Sequence, residues 1–196
     1  MKKLLFTAAL TLASPLLWAF TAADLAQMLQ KPANVQGAFV QERRLKSLSK
    51  PMIAEGRFVL VPQKGLLWHM QKPFDNRLRI RADGIMQWNG RNWAADGGKM
   101  SGRSRQTGLL LDLLGGNIQG LEQHFELKLN GTPQKWTLRL TPKTVLMKQI
   151  FNHIDISGGS VVQRVELHEK QGDVMVMRFE RVQAGRDLDE FARQAL

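Results

Sequence analysis

The residues of this chain most able to move a proton or hold a metal are its four histidines, His69, His124, His153 and His168. A metal site needs such groups at spacings that converge, as His-x-x-x-His does on a helix. No pair has that spacing. His153 and Asp155 stand two apart, which puts them on one face of a strand where they can pair. A histidine satisfied at the surface or in the core accounts better for all four. There is no Gly-x-Ser-x-Gly elbow for a nucleophilic serine and no phosphate-binding glycine loop. The 17 acidic residues are scattered, and few lie near aromatic positions, a poor setting for the paired carboxylates of a glycosidase. The chain has no cysteine, so neither a disulfide nor thiol chemistry is open to it. The expectation is a protein that is not an enzyme, with no cofactor and no metal.

What remains is apolar surface, and strands must position it. Alternation puts Leu66, Trp68 and Met70 on one face and Leu67 and His69 on the other. Phe58 and Leu60 belong to the neighbouring strand, Leu78 and Ile80 to the next, and Phe39 to an earlier one. Met86 and Trp88 join the same surface if the register places them there. Methionine and tryptophan make a wide, adaptable surface. Two readings stand: the packed core of a sandwich, or the wall of an apolar cavity.

The order of elements is helix, strands, helix, strands. Thr21 caps a short helix with Asp24 in its first turn and Leu25, Met28 and Leu29 along one stripe; Pro32 ends it. That helix can pack on a core or lie across the mouth of a cavity. Strands are predicted over residues 37–48, 55–61, 66–71, 77–81, 85–88 and 91–94, with turns at Asp83-Gly84 and Asn89-Gly90. Residues 99–106 read as a polar loop. Thr107 then caps a helix over 108–114, closed by Gly115-Gly116. Leu109, Leu110, Leu111, Leu113 and Leu114 leave it apolar on almost every side, so it is a central core helix or a lid. Strands resume over 121–129, 136–140, 146–156, 161–169 and 174–182, and residues 188–196 form a short helix or covering segment. The predicted fold class is mainly β with a few helices, in one domain over 20–196, a sandwich or barrel.

Met1-Lys2-Lys3 followed by an apolar run to Ala19 matches a secretory signal peptide, with cleavage after Ala19 or as late as Ala23. The run is short for a membrane anchor, which needs about 20 apolar residues. The formal charge is +11; without Lys2 and Lys3 it is 26 basic against 17 acidic residues, or +9. Such a charge serves solubility or draws the protein to polyanions. In an exported protein that points to anionic headgroups and away from nucleic acid.

The order of several short motifs resembles the LolA-like outer-membrane lipoprotein carrier proteins, as a divergent branch. They are Phe39-Val40-Gln41, Glu55-Gly56-x-Phe58, Leu67-Trp68-His69-Met70 followed by Pro73, and Asp83-Gly84 ahead of Trp88. The second half adds Leu138-x-Leu140-Thr141-Pro142-Lys143 and Lys148-Gln149. The resemblance runs from Leu25 to Phe191. It implies an incomplete, strongly curved antiparallel β-barrel whose concave side is covered by helices acting as a lid. It implies a periplasmic carrier that binds acyl chains of a lipoprotein or lipid, taken from an inner-membrane exporter and delivered to an outer-membrane acceptor. Cavity wall and lid would be Phe39, Phe58, Leu60, Leu66, Trp68, Met70, Leu78, Ile80, Met86, Trp88, Leu110, Leu113 and Leu114. Arg43, Arg44 and Lys46, with Arg103 and Arg105, would meet headgroups or a partner at the rim. Neither stable membrane insertion nor oligomerisation is expected. One departure is plain: where the family carries an arginine before a proline to latch the lid, this chain has Val61-Pro62, and neither donates a side-chain hydrogen bond. An envelope sensor or partner-docking module on the same fold is the competing expectation. A hydrolase is the third, for which the sequence offers no convergent acid, base or nucleophile.

Overall fold

The computed structural model describes residues 19–95, 109 and 111–196. Residues 1–18, 96–108 and Leu110, and with them the expected signal peptide, the polar loop 99–106 with Arg103 and Arg105, and the Thr107 cap, lie outside the described residues. Within them the chain forms α1 (Ala22–Gln30), β1 (Val35–Arg44), β2 (Met52–Val61), β3 (Gly65–Lys72), β4 (Asn76–Arg81), β5 (Gly84–Trp88) and β6 (Trp93–Ala95). A helical segment over 111–115 follows. Then come α2 (Ile118–His124), β7 (Phe125–Thr132), β8 (Lys135–Pro142), α3 (Val145–Ile150), β9 (Phe151–Gly158), β10 (Val162–Glu169), β11 (Val174–Ala184) and α4 (Glu190–Ala195).

All eleven strands join one antiparallel sheet in the order β6-β5-β4-β3-β2-β1-β11-β10-β9-β8-β7. Hairpins build each half, and β1 closes onto β11 to join the halves. Laid flat, eleven strands would span roughly 48 Å. Yet Leu78 and Ile80 of β4, Val165 of β10 and Leu140 of β8 bury into a single cluster. The sheet must therefore curl, and because β6 and β7 remain edges it is an open curved barrel rather than a closed one.

The predicted alternation sets the inner face. Phe58 pairs across from Trp68, and Trp68 from Leu78; Leu60 faces Leu66, and Leu66 faces Ile80. On the other half Leu138 and Leu140 meet Ile156 and Ile154, and Val165 meets Met177. Trp136 is fully buried, and its indole N–H donates to the Gly159 carbonyl, so the one polar atom of the ring is satisfied.

Two predicted strands begin as helices. Residues 121–124 of the expected strand 121–129 belong to α2, capped by the Asn117 side chain, which accepts from the Gly120 N–H. Ile118 and Leu121 are one helical turn apart, and both reach the core. Likewise residues 146–150 of the expected strand 146–156 belong to α3, capped by Thr144 and burying Met147. In each case the capping side chain satisfies a backbone donor of the first turn, and the following aromatic, Phe125 or Phe151, starts the strand. The expected helix at the chain end is α4, with Asp189 as its cap. Among the described residues no helix is long and apolar enough to cross a membrane.

Candidate functional site

The inner face of the sheet carries a four-ring aromatic group. Phe39 stacks on Trp68 with centroids 3.7 Å apart, Phe58 meets Phe179 edge-on at 5.1 Å, and Trp68 stands edge-on to Phe179 at 6.4 Å. Around it lie Leu60, Leu66, Leu78 and Ile80, all buried, with half-buried Met70 at the margin. The space for the Phe39 ring is made by Gly56, its cross-strand partner. A Cβ on Gly56 would come within 2.6 Å of that ring and 2.1 Å of the His69 carbonyl oxygen.

Helices press on this face from the other side. α1 forms because Thr21 and Asp24 cap it reciprocally: the Asp24 N–H donates to the Thr21 hydroxyl, and the Thr21 N–H donates to the Asp24 carboxylate. The Thr21 hydroxyl, donating to the same carboxylate at 2.6 Å, and then the Thr21 N–H hold the Asp24 carboxyl below the ordinary carboxylate range. Leu25 and Leu29 of α1, Leu113 and Leu114 of the 111–115 segment, and Ile118 and Leu121 of α2 bury into the same cluster as the sheet residues. The helical pieces touch each other closely. The Gln30 side-chain amide donates to the Gly116 carbonyl at 2.8 Å. Gly116 has a left-handed backbone, φ +67°, and a Cβ there would lie 2.8 Å from Leu29 Cβ. Asp112 bonds to Asn117 beside this contact, and burial pushes its carboxyl above the ordinary range despite that bond. Between these helices and the sheet, the void bounded by Leu29, Val35, Phe58, Leu60, Leu114 and Val162 is about 10 Å³.

Several expected site residues fall elsewhere. Met86 and Trp88 are on the opposite face of the sheet, because β4–β5 pairing sets Met86 across from Arg79 and leaves Ile85 facing Ile80. Trp88 packs edge-on against Trp93 and Phe191. Arg43 is spent inside the molecule: it pairs with the buried Glu169 at 3.1 Å and lies 3.7 Å from Asp173. Arg44 pairs with Glu42 at 2.7 Å. Of the three expected rim cations, Lys46 alone has an exposed side chain outside the ion pairs among the described residues, although its backbone N–H donates to Asp173. Gln63 of the turn after β2 lines an open depression of about 900 Å³ together with Gln27, Met28 and Gln30 of α1. Among the described residues, a side-chain hydrogen bond joins α1 to the end of the 111–115 segment at Gln30 and Gly116.

The expected covering segment at 188–196 lies on the opposite face of the sheet. Not every helix is a lid on the concave side: α4 lies outside, burying Ala192 and Ala195 against Leu67, with Val59, Trp93, Phe191 and Leu196 packed around them. The strict arginine alternation of β4 serves this face. The Arg77 guanidinium lies 5.2 Å over the Phe191 ring, and that of Arg79 lies 5.4 Å over Trp93. Leu67, an apolar residue on the polar side of its strand, was the available signal. Next to α4 runs an open groove of about 810 Å³ lined by Gln36, Arg57, His69, Gln183, Arg186 and Asp189 among others.

Strand pairing also stacks His153 on His168, centroids 4.1 Å apart, on the outer face of β9 and β10. Burial, then the His168 charge, hold His153 below the ordinary imidazole range. The expected pairing of His153 with Asp155 is a 3.5 Å contact. Ligand atoms of His153, His168 and Asp155 lie within 4.8 Å of one another. Arg139 grips both Asp155 oxygens at 2.7 Å, so the acid is already neutralised by an ion pair.

The sequence model of the family described as outer membrane lipoprotein carrier protein LolA-like matches residues 17–180. No curated protein matches the chain. Among solved structures, the MucA/MucB complex of Pseudomonas aeruginosa is similar at 15% identity, with 89% of this chain and 60% of that one covered and a TM-score of 0.52. The chain thus spans about six tenths of that relative. A LolA superfamily protein from Nitrosomonas europaea is 9% identical, covering 88% of this chain and 97% of that one, with a TM-score of 0.47. The lipoprotein LppX of Mycobacterium tuberculosis is 13% identical over 86% and 95%, with a TM-score of 0.42. At these identities the likeness is one of fold.

Proposed function

The chain belongs to the outer membrane lipoprotein carrier protein LolA-like family, and on that premise we propose that it is a periplasmic carrier of acyl chains. It takes up the chains of a lipoprotein or lipid against the inner face of the open barrel and moves them from an inner-membrane exporter to an outer-membrane acceptor. The observation that carries this reading is the single apolar cluster shared by the inner sheet face and the helices over it. An acyl chain in water costs about 0.8 kcal/mol per CH₂, so roughly 10 kcal/mol for one long chain. Only an enclosed apolar interior returns so much.

Leu25, Leu29, Leu113 and Leu114 already pack on this face, so cargo enters as they leave it. The leucines of α1 and 111–115 suit exchange, since apolar contact is non-directional and an acyl chain replaces it without a geometric penalty. Gln30 with Gly116 is a weak tie between the lid pieces. The role is binding rather than catalysis; in support, His69, His153 and His168 all sit on the face away from the apolar interior. The protein works as a monomer after export. Cleavage after Ala19 leaves the Thr21–Asp24 capping box intact, whereas a cut after Ala23 would remove its first member.

The test is to purify the protein from the periplasm, sequence its N-terminus, and identify extracted lipid by mass spectrometry alongside titration with a fluorescent fatty acid. Acylated lipid and saturable uptake are expected. Empty protein without saturable uptake would sink the carrier reading. A second reading, a partner-docking module, draws on the contrast between the open groove of about 810 Å³ outside and the void of about 10 Å³ inside. It predicts a stable complex with a protein segment and no lipid uptake.

A further inference from the structure

One end of the barrel gathers exposed apolar side chains that packing does not use. Phe74, in the β3–β4 turn, is 78% exposed; Met52 and Ile53 open β2 at 55% each, and Leu48 in the β1–β2 turn is 52% exposed. These two turns are neighbours, since Glu55 of β2 pairs with Lys72 of β3 just inside them. Val145 and Leu146, also exposed, sit on α3, which joins the end of β8 to the start of β9. Antiparallel pairing puts all of these at the same end of the strands. At the other end, the turns over 62–64, 82–83 and 133–134 carry none of the large exposed apolar residues found among the described residues.

Lysines predominate among the free charges at the apolar end. Lys46, Lys50, Lys143, Lys148 and Lys170 are exposed there and stand outside the ion pairs found among the described residues. Of the acids at that end, Glu169 and Asp173 are buried and tied to Arg43, Glu55 pairs with Lys72, and Asp75 beside Phe74 is exposed but lies against His69 and Arg77. Glu122 and Glu126 are exposed outside the ion pairs found among the described residues, two acids against five lysines. We propose that this end of the barrel docks on bilayers of anionic lipid, with Ile53 and Phe74 entering the headgroup region and the lysines meeting phosphate.

The alternative is a protein partner, and the residue types favour lipid. The core of a protein interface is depleted in lysine and forms a contiguous patch. Here single apolar tips stand on separate turns with lysines between them, and a lysine keeps its charge among headgroups while its stem lies along apolar surface. The inference does not need the carrier reading: the docking residues lie on or beside the turns at one end, and the cargo face lies inside the sheet.

Co-sedimentation of the full mature chain with vesicles tests it. The chain should bind phosphatidylethanolamine–phosphatidylglycerol vesicles, bind phosphatidylcholine vesicles less, and lose binding as salt rises. Ile53→Ser with Phe74→Ser should lower partitioning about tenfold or more on anionic vesicles. Lys50→Glu with Lys170→Glu should lower it by about the same factor on anionic vesicles and leave phosphatidylcholine unchanged. Lys64→Glu, at the other end, should change less than either pair. All three variants should keep the parent Tm and fluorescent fatty-acid uptake, which separates failure of docking from failure of the carrier reading. Absence of parent binding to anionic vesicles overturns the inference, as does a Ser double variant that binds like the parent. A one-to-one protein complex in place of vesicle binding assigns the end to a protein and overturns it too.

Discussion

Gly56 shows what a single atom decides. Across β1–β2 it faces Phe39, whose ring lies over the strand and stacks on Trp68. Gly56→Ala would set a methyl against both that ring and the His69 carbonyl. The ring can turn; the carbonyl is backbone in the adjacent strand and yields less. Overpacking of this kind costs about 1–3 kcal/mol, so urea unfolding should report a loss of that size for Gly56→Ala, and an unchanged midpoint would show that the strands part freely here. The motif Glu55-Gly56-x-Phe58 was visible in the sequence. Its reason was not, because the Phe39 ring belongs to another strand. Met86 and Trp88 teach the same lesson: alternation sorts residues within a strand, but only register says which face joins the neighbour's.

At the scale of elements, α2 and α3 were read as strands because each adjoins one and is short. Their caps are Asn117 and Thr144, and their brevity hid the helical period, since six or seven residues hold fewer than two turns. The lid segment carries its own restraint. Asp112 is half-buried, and burial raises its carboxyl above the ordinary value of 3.8. A raised folded-state pKa means that the native chain holds its proton more tightly than the unfolded chain. Stability contributed by the protonated group is therefore full below the unfolded value and is lost as pH climbs through the folded one. Asp112→Asn should raise Tm at neutral pH, and the gain should fade as pH falls below the carboxylate range. A pH-independent difference between the two proteins would show that the charge plays no part.

The whole molecule combines a curled sheet, helices inside it and one helix outside. Since the inner face has a single apolar cluster, a ligand held there binds the native chain and not the unfolded one. Thermal melts with increasing fatty acid should show Tm rising with the logarithm of ligand, by about 2.7 kcal/mol of stability at a hundredfold excess over Kd. A Tm indifferent to acyl ligand would show that the cluster is only a core. The sequence by itself determined the class of the fold, the absence of thiol chemistry, and which residues of β2, β3 and β4 share the apolar face, because composition and two-residue alternation are local properties of the chain. Only the tertiary structure decided that Arg43 is consumed by Glu169, that α4 lies outside on Leu67, and that the lid is tied by Gln30 to Gly116. These partners stand 86 to 128 residues apart, and no local pattern encodes such a meeting: it exists only once β1 has paired with β11 and the sheet has curled.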